Sequence, residues 1–274
     1  MAAAPLFTIP IPPIASHPGG TIVCTEPDPA VYLLTFTSPP DNRLTRASCQ
    51  AFLDALDTIE LGGYAPGVVV TTSGIPKFYS NGLDLELAVA QKDFIPDFLY
   101  KLFARLLTYP MPTIALLNGH AFAGGLMLAI HHDYRVQNPT RGFVCINELE
   151  FGVPLKAGMS GTFRAKLPPA TYRHLVLEAR RFGGPASVEA GLVDAVGGLD
   201  EVRALVRDRR LTEKAKTGVY GLLKAEMYRE PLALLGPADH EREDGREREL
   251  LKMDEQRKKA AESKVKEILG KTKL

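Results

Sequence analysis

The stretch TIALLNGHAFAGGLMLAIHH, residues 113–132, changes character at its middle. Its first part, Thr113 to Gly119, is a short apolar run without a charge and reads as a strand covered on both faces. Its second part, Ala123 to His132, reads as a helix that begins at a glycine pair. Glycine at a strand-to-helix turn permits positive φ and lets backbone N–H groups approach a ligand closely. The first N–H groups of a helix have no partner within it, and the dipole there favours negative charge. The stretch predicts one unit of an α/β fold with free donors at its join.

The same pattern recurs on either side. GVVVTTS (67–73) is another covered strand, and it leads into KFYSNGLDL (77–85), a second glycine turn. Residues 93–109 have helical spacing through Phe98, Leu102, Leu106 and Leu107, and Pro110 ends that helix. An earlier helix opens near Thr45 and carries Phe52, Leu53, Leu56 and Ile59. TIVCTE and AVYLLTFTS, separated by Pro27-Asp28-Pro29, read as a hairpin. YRVQNP and GFVCIN read as further short strands. Strand and helix in alternation mean right-handed crossovers and a mainly parallel sheet.

From about Pro168 the texture becomes helical. The stretch 239–274 is dominated by Glu, Arg and Lys, with Leu250, Leu251, Met253, Val265, Ile268 and Leu269 as its few apolar positions, and predicts a solvated helix. The proline-rich start lacks a basic segment followed by an apolar one, so it reads as an extended, poorly ordered leader and not a secretory signal. The expected organisation is a flexible leader over 1–19, a core over 20–198 and a C-terminal helical region over 199–274.

The 274 residues carry 33 basic and 32 acidic side chains, a net charge of +1. That balance supplies no long-range field to collect phosphates, so no nucleic-acid partner is expected. No apolar run is long enough to insert into a membrane. The three cysteines, Cys24, Cys49 and Cys145, are far apart and form no CxxC pair, which points to a reducing compartment. The final Thr272-Lys273-Leu274 keeps two residues of the S-K-L peroxisomal address. Thr replaces the Ser of that address, so the ending is a weak variant of it: it admits the peroxisome, and the location is otherwise the cytoplasm.

Three segments carry the chemistry. Two are the glycine turns, whose N–H groups would form an oxyanion hole if they converged on one point; the competing reading is two tight turns with small residues for packing. The third is NELEFGVP (147–154), where a Glu after an apolar strand and before a Gly/Pro turn would face a cleft. An apolar setting raises a carboxyl pKa and suits it to proton transfer near neutrality. The competing reading is a surface turn, and it applies to Glu148 and Glu150 alike. Asp84 is placed to cap the helix after it. Asp133 is expected to cap or tie the end of the helix before it. His120 reads as a packed turn histidine. His131 and His132 are adjacent, not four apart, so they do not form a zinc pair, and no metal is expected.

In order and spacing, these segments resemble the crotonase (enoyl-CoA hydratase/isomerase) superfamily from about Val31 to Gly198. The runs Asp133-Tyr134-Arg135, Asn138-Pro139 and Asn147-Glu148, with MPTIALLNGH and the FSNGLDL-like Phe78–Leu85, are most similar to Δ3,Δ2-enoyl-CoA isomerases. The resemblance implies a crotonase-type ββα spiral with a C-terminal helical region. It implies an acyl-CoA substrate that carries its own coenzyme A, with no separate cofactor, and assembly as a homotrimer or hexamer. Carried over by position, the amides of Leu83 and Gly124 form the oxyanion hole and Glu148 is the acid/base. Ser80, Asn81, Gly82, Gly125 and Met127 fall at substrate-binding positions. Hydratases of the family hold a second glutamate at the position of Met127. Dienoyl-CoA isomerases hold acids at the positions of Met127 and Lys156. Moving a double bond needs a single base, so the pattern implies a Δ3,Δ2-enoyl-CoA isomerase. The alternatives are a crotonase-fold enzyme for a specialised acyl-CoA thioester and a non-catalytic crotonase scaffold.

Overall fold

A computed structural model describes residues 4–271. Its main sheet has seven strands in the order β1-β2-β3-β4-β6-β8-β10. These are β1 (Pro5–Ile11), β2 (Gly20–Asp28), β3 (Val31–Thr37), β4 (Val68–Ser73), β6 (Thr113–Leu117), β8 (Tyr134–Gln137) and β10 (Ala195–Val196). A second sheet of three short parallel strands holds β5 (Phe78–Ser80), β7 (His120–Phe122) and β9 (Val144–Cys145). β1, β2 and β3 pair antiparallel, and from β3 onward the main sheet is parallel.

Each turn of the chain lays one long strand in the main sheet, one short strand in the second sheet, and then a helix. β4 and β5 lead to α2 (Leu85–Ala90); β6 and β7 lead to α4 (Gly124–His131); β8 and β9 lead to α5 (Glu148–Phe151). This is the expected ββα spiral. Between β3 and β4 lies α1 (Arg46–Leu61), opened by Thr45, whose hydroxyl accepts from Ser48 N–H. The helix expected over 93–109 is a π-helical turn, Ile95–Leu99, that continues into α3 (Tyr100–Thr108).

The covered strands are apolar on both faces because two cores need them. Val69, Ala115 and Leu117 face the large core with Phe36, Phe52 and Leu126. Val68, Val70, Ile114 and Leu116 face the other way, against Val202 and Val206 of α9 (Leu199–Asp208). The remaining helices are α6 (Ala157–Lys166), α7 (Pro169–Glu178), α8 (Gly184–Glu189), α10 (Leu211–Lys214), α11 (Tyr220–Met227), α12 (Arg229–Leu232) and α13 (Pro237–Lys271). Lys224 of α11 makes a buried ion pair with Asp133 (Nζ–Oδ1 2.8 Å) and also donates to Leu106 O. The Asp133 carboxylate also accepts from Thr113 N–H, so it ties β6 to α11.

The leader corrects an expectation. Residues 5–11 are paired with β2 across a register from Pro5↔Thr25 to Ile11↔Gly20. Prolines are tolerated because β1 is an edge strand, where a missing N–H costs no ladder bond on the open side. The three cysteines are free and buried, in β2, α1 and β9. Burial pushes the thiols of Cys24 and Cys145 up to about 12, and that of Cys49 upward as well. The distal part of α13 is solvated as expected, with Leu250, Leu251, Met253, Val265, Ile268 and Leu269 exposed.

Candidate active site

The two glycine turns meet. Gly82 has φ +82°, and a Cβ there would stand 2.8 Å from Phe122 O and 3.0 Å from Gly124 N. A Cβ on Gly124 would stand 3.1 Å from Leu83 N. The Leu44 N–H donates to Gly82 O at 2.8 Å. A trans peptide points its N–H opposite its carbonyl, so this bond turns the Leu83 N–H away from Leu44. Gly124 is the first residue of α4, preceded by Ala123 at φ 48°. A non-glycine residue with positive φ costs free energy, which the packed turn must offset. Among the described residues neither Leu83 N–H nor Gly124 N–H donates a hydrogen bond to the protein. Both residues line one cavity of about 800 Å³.

Glu148 lines the same cavity. It opens α5, a single helical turn. Residues two apart on a helix face different ways, and Glu150 is exposed, bonded to Arg181 at 2.8 Å. Burial lifts the Glu148 carboxyl from its ordinary 4.5 to about 7, against a smaller lowering by its own backbone N–H. Glu148 Oε2 and Asn147 Oδ1 are buried with no hydrogen-bond partner among the described residues. A buried orphan oxygen is costly unless a ligand satisfies it. The site thus holds one desolvated carboxyl and two free backbone donors, the parts needed to move a proton while charge builds on an oxygen.

The other expected residues divide. Asn81 lines the cavity. Ser80, Gly82 and Gly125 lie outside its wall and build the turns. Ser80 Oγ donates to Asn42 O at 2.7 Å, and Gly125 packs so close that a Cβ would meet Ser80 O at 2.2 Å. Met127 is a correction: it is 1% exposed and belongs to the core, because all eight residues of α4 are buried. Asp84 caps α2 through Leu87 N–H at 3.0 Å, as expected. His120 accepts from Phe143 N–H at 3.0 Å and packs on aromatic rings outside the cavity wall. His131 and His132 are core groups, each bonded through Nδ1 to a carbonyl of α4, and burial drops both to about 3.

Several lining residues escaped the sequence. Arg43 donates to Leu83 O at 2.9 Å and is held by Asp41, so the loop before α1 braces the first glycine turn. Ser16 and His17 of the leader reach the wall. Lys156, already named at a position where dienoyl-CoA isomerases hold an acid, lines the cavity, but its pairing with Asp244 (2.7 Å) and Glu247 (2.5 Å) of α13, which ties the long helix to the wall, was not foreseen.

The Enoyl-CoA hydratase/isomerase family model matches residues 26–258. Enoyl-CoA delta isomerase 2, peroxisomal, of Arabidopsis thaliana is 32% identical over 221 residues, covering 75% of this chain and 92% of that protein. Enoyl-CoA delta isomerase 3 of the same plant is 31% identical over 218 residues, covering 73% and 89%. Among solved structures, human mitochondrial delta3-delta2-enoyl-CoA isomerase superposes with a TM-score of 0.64 at 21% identity, covering 85% of this chain and 98% of that one. An enoyl-CoA hydratase from Mycobacterium marinum does so at 0.66 and 24%, covering 78% and 94%. The structural likenesses carry the fold, and the family match with the plant relatives carries the family. The chain belongs to the enoyl-CoA hydratase/isomerase, or crotonase, superfamily, close to its isomerases, and is an enzyme of the crotonase type.

Proposed function

We propose that the protein is a Δ3,Δ2-enoyl-CoA isomerase. Glu148 takes a proton from C2 of a 3-enoyl thioester, and the C2–H electron pair moves into a dienolate. The charge on the thioester oxygen is held by the Leu83 and Gly124 N–H groups. The same carboxylic acid then delivers a proton to C4, leaving the double bond between C2 and C3. The observation that carries this reading is the desolvated and unpartnered carboxyl of Glu148 in a cavity it shares with two unpaired amides. No second acid is needed, and Met127 stands where the family's hydratases hold one. The printed names of the plant relatives support the same reaction.

Purified protein given a 3-enoyl-CoA should produce the absorbance of the conjugated 2-enoyl-CoA. Product that is instead a 3-hydroxyacyl-CoA would overturn the isomerase reading in favour of hydration. A second reading, another crotonase chemistry on a specialised acyl-CoA thioester, is favoured by one observation: Ser16 and His17, outside the family match, line the cavity. A panel of acyl-CoA esters with product mass analysis separates the two. The location proposed is the peroxisome, supported by the names of two plant relatives. The Thr272-Lys273-Leu274 address lies outside the described residues. A homotrimer or hexamer is proposed as the assembly. The exposed Leu222, Leu223 and Met227 of α11 support it, and light scattering on the eluted protein tests it.

A further inference from the structure

The family match begins at residue 26, yet the chain before it helps to build the cavity. After β1 the backbone reverses through two bonds between Ile14 and His17, N···O 3.0 and 2.9 Å, with Ala15 at φ 50°. The reversal brings His17 Nε2 to 2.8 Å from Asp84 Oδ2. Their side chains are 11% and 22% exposed, so solvent screens the contact only in part. Asp84 directly follows Leu83 of the oxyanion turn, and its other oxygen caps α2. The leader is therefore fastened to the residue beside a catalytic amide.

The chemistry of this part of the wall narrows what it meets. Each of its carboxylates Asp41 and Asp84 already has a basic partner. Asp41 accepts from Arg43 at 3.1 Å and from Asn81 Nδ2 at 2.6 Å, and Asp84 is held by His17. Burial would raise the Asp84 carboxyl, but Leu87 N–H, His17 and Arg43 outweigh it and keep it below its ordinary value. Such a surface is a poor seat for a phosphate. The Ser16 hydroxyl and His17 Nδ1 have no hydrogen-bond partner among the described residues. A free hydroxyl and a free ring nitrogen of this kind suit the amides of a flexible polar arm.

We propose that the leader turn carrying Ser16 and His17 is a substrate-binding clasp, fastened by His17 to Asp84, that holds the pantetheine arm of the acyl thioester. The proposal rests on the thioester reading of the cavity. It assigns a binding role to a segment that the family match leaves out.

The test is calorimetric titration of the full-length protein with hexanoyl-CoA, which has no double bond to move, and with hexanoyl-pantetheine, which has the arm and no nucleotide. His17→Ala should weaken both esters by about tenfold, the worth of one partly buried hydrogen-bonded contact. His17→Gln, which can keep the contact to Asp84, should restore most of the loss, whereas a leader with no part in binding would show no loss of affinity to restore. Thermal midpoints of both variants show whether the fold is intact, and the glutamine variant decides the matter if alanine loosens the leader. The clasp is overturned if His17→Ala binds both esters as tightly as wild type. It is also overturned if the loss is confined to hexanoyl-CoA, which would assign His17 to the nucleotide. Wild-type protein that bound neither ester would overturn the thioester reading itself, and the clasp with it.

Discussion

Replacing Glu148 with Gln should inactivate the protein and stabilise it. Burial holds this carboxyl at about 7 in the folded chain against 4.5 ordinarily. Between those values the folded state holds a proton that the unfolded state has lost, so stability falls as pH rises through the window. By linkage the cost of ionising the buried group above it approaches about 3 kcal/mol, and its residual contact with solvent reduces this to about 1–3 kcal/mol. Glutamine has nearly the same shape and no charge. Urea unfolding should therefore show Glu148→Gln more stable than wild type by that amount at about pH 8, with the gap closing near about pH 4. Isomerisation should fall by about 10²–10⁴-fold, the range expected for loss of a positioned base. In wild type, kcat/KM should rise with pH through an inflection near about 7, because the base must be unprotonated to act. A variant that is less stable at high pH would refute the claim that the carboxyl is desolvated. A variant with full activity would remove Glu148 from the reaction.

Gly124→Ala places a methyl group against Leu83 N and the Leu83 side chain, and should cost about 10²-fold in turnover, as for one lost oxyanion donor. Gly125→Ala meets the Ser80 carbonyl instead, and should lower stability by about 1–3 kcal/mol in a urea melt. Lys224→Met strands Asp133 in the interior, and equilibrium unfolding should show a loss of about 3–5 kcal/mol. Lys156→Ala cuts both ion pairs to α13, and amide hydrogen exchange over residues 237–247 should quicken while the sheet is unaffected.

The spiral was legible because its signals are local. GVVVTTS and TIALLNG carry no charge and centre on apolar residues, and each runs into a glycine turn within a few residues. Glu148 stood out as the acid after the short strand β9, and the cavity it lines is shared with Leu83 and Gly124. What escaped depends on contacts between distant residues. His17 and Asp84 are 67 positions apart, and Lys156 and Glu247 are 91. Nothing in either neighbourhood announces the partner. The prolines of residues 5–13 argued against pairing, and only the position of β1 at the sheet edge makes them harmless. Met127 was carried over by position alone, and the packing around α4 decided its place.

The buried thiols give the molecule its own timekeeper. With Cys24 and Cys145 near about 12 and Cys49 shifted the same way, neutral solution presents almost no thiolate to an alkylating reagent. Modification must wait for the surrounding structure to part. One thiol lies beside the edge strand, one in the first long helix and one a few residues before Glu148. Mass-resolved labelling would therefore clock the breathing of three separate regions in a single unmodified chain.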